Sequence, residues 1–221
     1  MLTERFTYQE NRHKPYLLER LVLEQKLMDP TYQAEVQQNY ILDRARIIFA
    51  VRPEIRRRLA SRSSIRLLEI GGGKGRGVLA IRRKFPNANA LDISMTSLTP
   101  LPDHAEAREQ GIHVYTGVIA EGLPTNWTDN FDIVCTDSVL GWTDMPKAIA
   151  EIRRVLATGG VWFGVEGKDS WMLNKQTKLK EALQRVMNEF GMTNSMTPGM
   201  VSNYYLSHSG AFAVRYLKEN T

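Results

Sequence analysis

Leu67-Leu68-Glu69-Ile70-Gly71-Gly72-Gly73-Lys74-Gly75-Arg76-Gly77 is the stretch on which the fold turns. Arg66–Ile70 reads as a buried strand, the glycines as a loop, and the residues through about Lys84 as a helix. Glycine lets the backbone turn sharply here and lets a ligand approach with no Cβ in the way. The helix beyond presents unpaired N–H groups, which suit a carboxylate or a phosphate.

Three ligand classes use such loops. A P-loop needs Gly-Lys-Ser/Thr at its end, whereas Gly73-Lys74 is followed by Gly75 and Leu68 stands where the first glycine belongs. A dinucleotide fingerprint begun at Gly71 needs a small residue at position 76 for helix–strand packing, and Arg76 stands there. What remains is an acid in the strand followed by glycines at alternate positions: Glu69, Gly71, Gly73 and Gly75.

Downstream, short apolar runs alternate with helical stretches. Ala88–Ile93, Ile112–Thr116, Phe131–Thr136 and Val161–Val165 read as the second to fifth strands. Such alternation implies parallel strands joined by right-handed crossovers. A helix near Leu173–Phe190 is followed by Met200–Leu206 and Ala211–Leu217, joined through Ser207-His208-Ser209-Gly210 as in a hairpin. Upstream the pattern is helical. Leu17, Leu18, Leu21, Val22 and Leu27 form one run, and Val36, Tyr40, Ile41, Ala45, Ile48 and Phe49 another. Pro53 interrupts the second, and a short basic helix follows. Ser61-Arg62-Ser63-Ser64 divides the two patterns, giving a helical extension or cap over residues 1–64 and an α/β domain over 65–221.

Two further segments narrow the reading. Leu91-Asp92-Ile93-Ser94 puts an acid at the end of the second strand, on the sheet edge where open α/β folds bind ligands, and a carboxylate there can accept two ribose hydroxyls. Taken alone, Asp92 would read as a turn or cap residue before Ser94 and Thr96. From Asp144 to Gly160, Pro146 suits a first helical turn. Ala148, Ile149, Ile152, Val155 and Leu156 make an apolar face, and Gly159-Gly160 ends the helix.

These segments together resemble class I S-adenosylmethionine-dependent methyltransferases: Glu69 with the alternating glycines, Asp92 one strand later, and the Asp144–Gly160 helix and turn. The last is similar to that of the group that includes the ubiquinone/menaquinone-biosynthesis enzymes. The motifs span about residues 65–166. The resemblance implies a Rossmann-like fold, a seven-stranded, mostly parallel sheet with an antiparallel C-terminal strand. It implies S-adenosylmethionine as cofactor, with Glu69, Gly71, Gly73 and Gly75 on its methionyl side. Asp92 would hold the ribose, and Ile93 would cover the adenine. The sequence departs from the family pattern twice. In Gly117-Val118-Ile119-Ala120-Glu121, Ile119 stands where many members have an acid against the adenine amine, so that group is left to backbone at Ile119 and Ala120 or to Glu121. After strand four, Gly141-Trp142 replaces a common Glu-His pair, so the quinone enzymes' substrate does not carry over.

The remaining composition sets bounds. The 221 residues carry a net charge of +5, of which +4 lies in residues 1–65, notably at Arg52, Arg56, Arg57, Arg58 and Arg62. A basic patch attracts nucleic acid or a small anion, and otherwise is a solvated helix face. A single cysteine, Cys135, excludes an internal disulfide and a cysteine-based zinc site. His13, His104, His113 and His208 lack ligand-like spacing, so no metal is expected. No apolar run reaches the roughly 20 residues of a spanning helix, and Met1-Leu2-Thr3-Glu4-Arg5 does not open a secretory signal, so the expectation is a cytoplasmic protein. Methyl transfer needs positioning, and needs a general base only when the acceptor must lose a proton. Asp137 and Glu166, ending strands four and five, are the candidates, though Asp137 reads more readily as a cofactor contact or loop cap and Glu166 as a surface carboxylate. Trp142, Trp171, Tyr204 and Tyr205 could line an acceptor pocket but read more readily as core residues, and Tyr32 and Tyr40 could reach the cofactor. The expected activity is methylation of an O, N or C atom of a small molecule. RNA or tRNA methylation, and a non-catalytic binding role on the same fold, are the alternatives.

Overall fold

A computed structural model describes residues 51–87, 89–137, 139–140, 143–166, 184–193 and 212–219. In chain order the elements are a helix over residues 51–59 (α1), β1 Ile65–Ile70, α2 Arg76–Lys84, β2 Leu91–Ser97, α3 His104–Glu109 and β3 Ile112–Thr116. There follow β4 Phe131–Asp137, α4 Met145–Val155, β5 Leu156–Glu166, a helix over 184–189 (α5) and β6 Phe212–Leu217. Two 3-10 turns, Ile119–Glu121 and Thr125–Trp127, lie between β3 and β4.

The strands form one sheet in the order β3-β2-β1-β4-β5-β6, parallel throughout except for β6, which runs antiparallel to β5. This is the expected mostly parallel α/β sheet with an antiparallel last strand. Six strands are described, not seven, and the expected strand at Met200–Leu206 lies outside the described residues. So do the two long N-terminal helical runs, Tyr32 and Tyr40, Trp142, Trp171, and Tyr204 and Tyr205. Of the helix expected near Leu173–Phe190, residues 184–189 are described and helical.

Two-residue alternation along the strands builds two cores, one on each face of the sheet. Leu67 faces one way, with Ile93, Ile133 and Val161, against Val78 and Ile81 of α2 and Val51 and Ile55 of α1. Leu68 and Ile70 face the other way, with Val134 and Trp162, against Ala148, Ile149, Ile152 and Val155 of α4. The one polar atom of the fully buried Trp162 side chain is satisfied, because Nε1 donates to Thr136 Oγ1 at 3.1 Å. Helix α1 is already formed at residue 51, so Pro53 lies within it, not ahead of it.

Charges hold α1 to the amino-terminal edge of the sheet. Arg58 is buried and donates to Glu54 at 2.7 Å, to Gly159 O at 2.6 Å and to Asp132 at 3.5 Å. Arg57 also donates to Glu54, at 2.5 Å, and Arg62 donates to Asp132. Burial raises the Glu54 carboxyl, but the bonds from Arg57 and Arg58 outweigh it and hold the group below its usual value.

The Asp144–Gly160 segment departs from expectation at its end. Asp144 caps α4, accepting from Lys147 N at 3.3 Å, and Pro146 sits in the first turn. The helix stops at Val155, and Leu156 turns directly into β5. Gly159 and Gly160 do not end the helix. They lie inside β5, where the pairing with β4 jumps from Phe131↔Leu156 to Ile133↔Val161. Gly159 takes a left-handed φ of 71°, and both glycines exchange backbone bonds with Lys218.

Candidate active site

The strand order reverses direction between β1 and β4. In open α/β sheets the ligand crevice lies outside the carboxyl ends of the strands at that point. Here those ends carry the glycine loop after β1 and Asp137 and Val139 after β4.

The loop is bent by left-handed glycines at Gly71, Gly73 and Gly75, with φ of 73°, 52° and 77°. A Cβ on Gly71 would lie 2.5 Å from Val139 Cγ2, so the β1 and β4 loops touch there. Gly73 is different: among the described residues a Cβ would meet nothing within 4 Å. The loop is pinned to β2, with Gly71 N donating to Thr96 Oγ1 at 3.0 Å and Gly72 N to Thr96 O at 2.8 Å.

Glu69 lies under this loop, 3% exposed. Its Oε2 accepts the backbone N–H of Val78 in the first turn of α2 at 3.1 Å. Burial, and then repulsion from the nearby Asp137 carboxylate, push the Glu69 carboxyl up to about 7, against the pull of the Val78 N–H. Cys135, next to Glu69 on β4, is fully buried. Burial above all, then these two acids, raise its thiol far above the ordinary value, so it is not a thiolate nucleophile.

The structure therefore brings together Glu69, Gly71, Gly73, Gly75 and Asp137. It does not bring Asp92 to them. Strand β2 is Leu91–Ser97, not Ala88–Ile93, so Asp92 is the second residue of the strand and pairs in register with Arg66, near the start of β1. Its carboxylate is half exposed, 3.3 Å from His113 Nε2. Four residues of strand, about 13 Å, separate it from Thr96 at the loop. Ile93, expected over the adenine, is wholly buried in the core on the α2 face. Ile119 is also buried, in the other core beside α4, while Ala120 is half buried in the same turn. Glu166 is the last residue of β5, and its side chain lies outside the described set.

Three residues whose part in the loop was not foreseen from the sequence define it. Thr96 holds Gly71 and Gly72. Met95 lies beneath, its Sδ 3.1 Å from where a Cβ of Gly75 would stand. His104, wholly buried at the start of α3, reaches Gly73 O with Nε2 at 2.8 Å. Beside it the Asp103 carboxylate faces the Lys74 ammonium at 3.7 Å. No spacing in the sequence marks these contacts, which arise only once β2 runs to Ser97. Among the described residues no three His, Cys, Asp or Glu side chains group as a metal site, and no helix is long and apolar enough to cross a membrane.

Residues 68–163 match the family model described as a methyltransferase domain. No curated protein sequence matches the chain. Solved structures do. A Methanococcus maripaludis protein assigned as an S-adenosyl-L-methionine-dependent methyltransferase matches with TM-score 0.57 and 18% identity, over 86% of this chain and 92% of that one. The CurJ carbon methyltransferase matches with TM-score 0.55 and 20% identity, over 72% of this chain and 50% of that one. Phosphoethanolamine N-methyltransferase 2 of Haemonchus contortus, solved with S-adenosyl-L-methionine, matches with TM-score 0.50 and 14% identity, again over 72% and 50%. The chain thus spans half the length of the last two.

Proposed function

We propose that the chain is a class I S-adenosylmethionine-dependent methyltransferase that takes S-adenosylmethionine as its cofactor and methylates an O, N or C atom of a small-molecule acceptor, a reading supported by the methyltransferase-domain model over residues 68–163 and the methyltransferase-like fold. The observation that carries this reading is the pair Glu69 and Asp137 at the crevice. These two carboxylates stand beside the left-handed glycine loop, and burial with the repulsion between them raises the Glu69 carboxyl to about 7. The cofactor's amino group and sulfonium are both cationic, and a carboxylate neighbour suits them.

When bound, S-adenosylmethionine supplies an electrophilic methyl group on a departing sulfur. The chain's own residues supply placement. The left-handed loop at Gly71, Gly73 and Gly75 gives close backbone approach, and Asp137 places a carboxylate beside it. Asp137, half buried at the mouth of β4, is also the carboxylate placed to orient an acceptor or take its proton. For the ribose we assign Asp103 in place of Asp92. It is the acid in the loop that leaves the carboxyl end of β2, and it faces Lys74 of the glycine loop.

Preference for a small molecule over RNA rests on where the arginines lie. Arg58 is buried in ion pairs, and Arg62 is paired with Asp132 at the amino end of β4. These groups stand at the opposite end of the strands from the crevice, about 20 Å away for a six-residue strand. Calorimetric titration tests the cofactor: S-adenosylmethionine should bind and NADH should not. Transfer of labelled methyl should then go to a small-molecule fraction of cell extract. Label appearing only in the RNA fraction would overturn the choice of acceptor.

A further inference from the structure

We infer that His104 is a positioning residue of the cofactor site. Through Nε2 it fixes the Gly73 peptide and so aims the Lys74 backbone N–H at the anionic group of the cofactor. The inference rests on the S-adenosylmethionine reading above and deepens it.

The two bonds of the ring fix its tautomer. Leu101 N–H donates to Nδ1 at 3.2 Å, and a backbone N–H can only donate, so Nδ1 is bare. Gly73 O lies 2.8 Å from Nε2, and a carbonyl can only accept, so Nε2 carries the hydrogen. His104 is thus a neutral bridge, wholly buried, from the loop after β2 to the glycine loop.

The bridge has a directional consequence. In a planar trans peptide the carbonyl of one residue and the N–H of the next point opposite ways, and the described chain has no cis peptide. With Gly73 O drawn inward to His104, the Lys74 N–H points outward. Outward is the open side among the described residues, since a Cβ at Gly73 would meet none of their atoms within 4 Å. Gly73, at φ 52°, is the kind of residue whose peptide flips readily without such a tether. The anionic group of S-adenosylmethionine is its carboxylate, which suits a preset backbone donor.

Two substitutions separate the two bonds. His104→Gln places an amide N–H where Nε2 was and keeps the Gly73 bond. His104→Asn places an amide oxygen where Nδ1 was and keeps the Leu101 bond. Both remove ring packing, so both should lower the melting temperature by similar amounts. Only His104→Asn should weaken S-adenosylmethionine binding, by about tenfold relative to His104→Gln, measured by calorimetry. If wild type binds and the two variants lose affinity equally, or His104→Asn binds like wild type, the inference is wrong. If wild type does not bind at all, the cofactor reading fails and takes this inference with it. Ring-nitrogen NMR of the unsubstituted chain gives a check independent of variant folding. It should show Nε2 protonated, Nδ1 bare, and a Lys74 amide shift on adding S-adenosylmethionine. A protonated Nδ1 or a stationary amide overturns the proposal.

Discussion

Glu69 Oε2 accepts the Val78 backbone N–H at 3.1 Å, so a residue of β1 caps the helix that follows its own loop. Gly75, at the N-cap position of α2, has no side chain to do this. The arrangement puts a carboxylate in the interior with Asp137 nearby, and its pH behaviour follows.

The Glu69 carboxyl stands at about 7 in the fold, against 4.5 ordinarily. The folded state thus holds this proton more tightly than the unfolded state does. The associated stability is complete below pH 4.5 and is lost as pH rises through 7, a change of about 3 kcal/mol. Glu54 and Glu151 are shifted the other way, so their contributions change only at more acid pH and are complete above 5. Melting temperature of the cofactor-free protein should therefore fall between pH 5 and 8. Glu69→Gln should flatten that fall and be the more stable form at pH 8. An unchanged slope in the variant would remove Glu69 from the account.

Gly77 tests the same carboxylate from the other side. A Cβ there would stand 2.5 Å from Glu69 Oε1. Gly77→Ala should destabilise by about 2 kcal/mol by pushing Glu69 off Val78. With Glu69→Ala already made, the same change should be neutral or stabilise by up to about 1 kcal/mol, because alanine suits a helix better than glycine. Denaturant unfolding of the four proteins measures the coupling. Equal effects in both backgrounds would mean that the two side chains do not interact.

How far the sequence was legible depends on what each residue reports. The adjacent Leu67 and Leu68 belong to opposite cores, and the loop glycines are left-handed, so a strand entering a glycine loop was readable from composition alone. The apolar face of α4 was readable in the same way. Strand β2 was not, because Ser94, Thr96 and Ser97 look like loop residues. All three are buried, with Thr96 Oγ1 accepting from Gly71 N and Ser97 Oγ donating to Thr99 O. Hydropathy cannot tell a hydroxyl satisfied inside from one solvated outside. The four-residue error that followed moved Asp92 from one end of the strand to the other. Likewise Gly159-Gly160 looked like a helix stop, while the pairing of Lys218 with both residues, remote in sequence, makes them an irregularity within β5.

Arg58 and Arg56 look alike in the sequence and should behave differently. Arg58 is 3% exposed and bonds to Glu54, Asp132 and Gly159, whereas Arg56 is exposed. Arg58→Met should destabilise by about 3 kcal/mol, because Glu54 is then left buried with half its partners. Arg56→Glu should change stability by no more than about 0.5 kcal/mol. Thermal and urea unfolding would show the contrast. If a salt-sensitive RNA affinity fell in Arg56→Glu, the basic residues would regain a binding role.

Asp92 and Asp103 are the two acids that compete for the ribose, and the strand register separates them. Asp92 pairs with Arg66 at the amino end of the sheet and contacts His113. Asp103 follows β2 and faces Lys74 across 3.7 Å. A carboxylate that accepts ribose hydroxyls must stand beside the glycine loop, because the same ligand spans both. Asp92→Ala should therefore leave S-adenosylmethionine affinity within about twofold, and Asp103→Ala should weaken it by about tenfold. Deoxygenated analogues sharpen the comparison. Loss of the 2′-hydroxyl should weaken binding to wild type and to Asp92→Ala, but make little further difference to Asp103→Ala. The reverse pattern would mean that β2 ends near Asp92 when the cofactor is bound, and that the register linking Glu69 with Met95 shifts on binding.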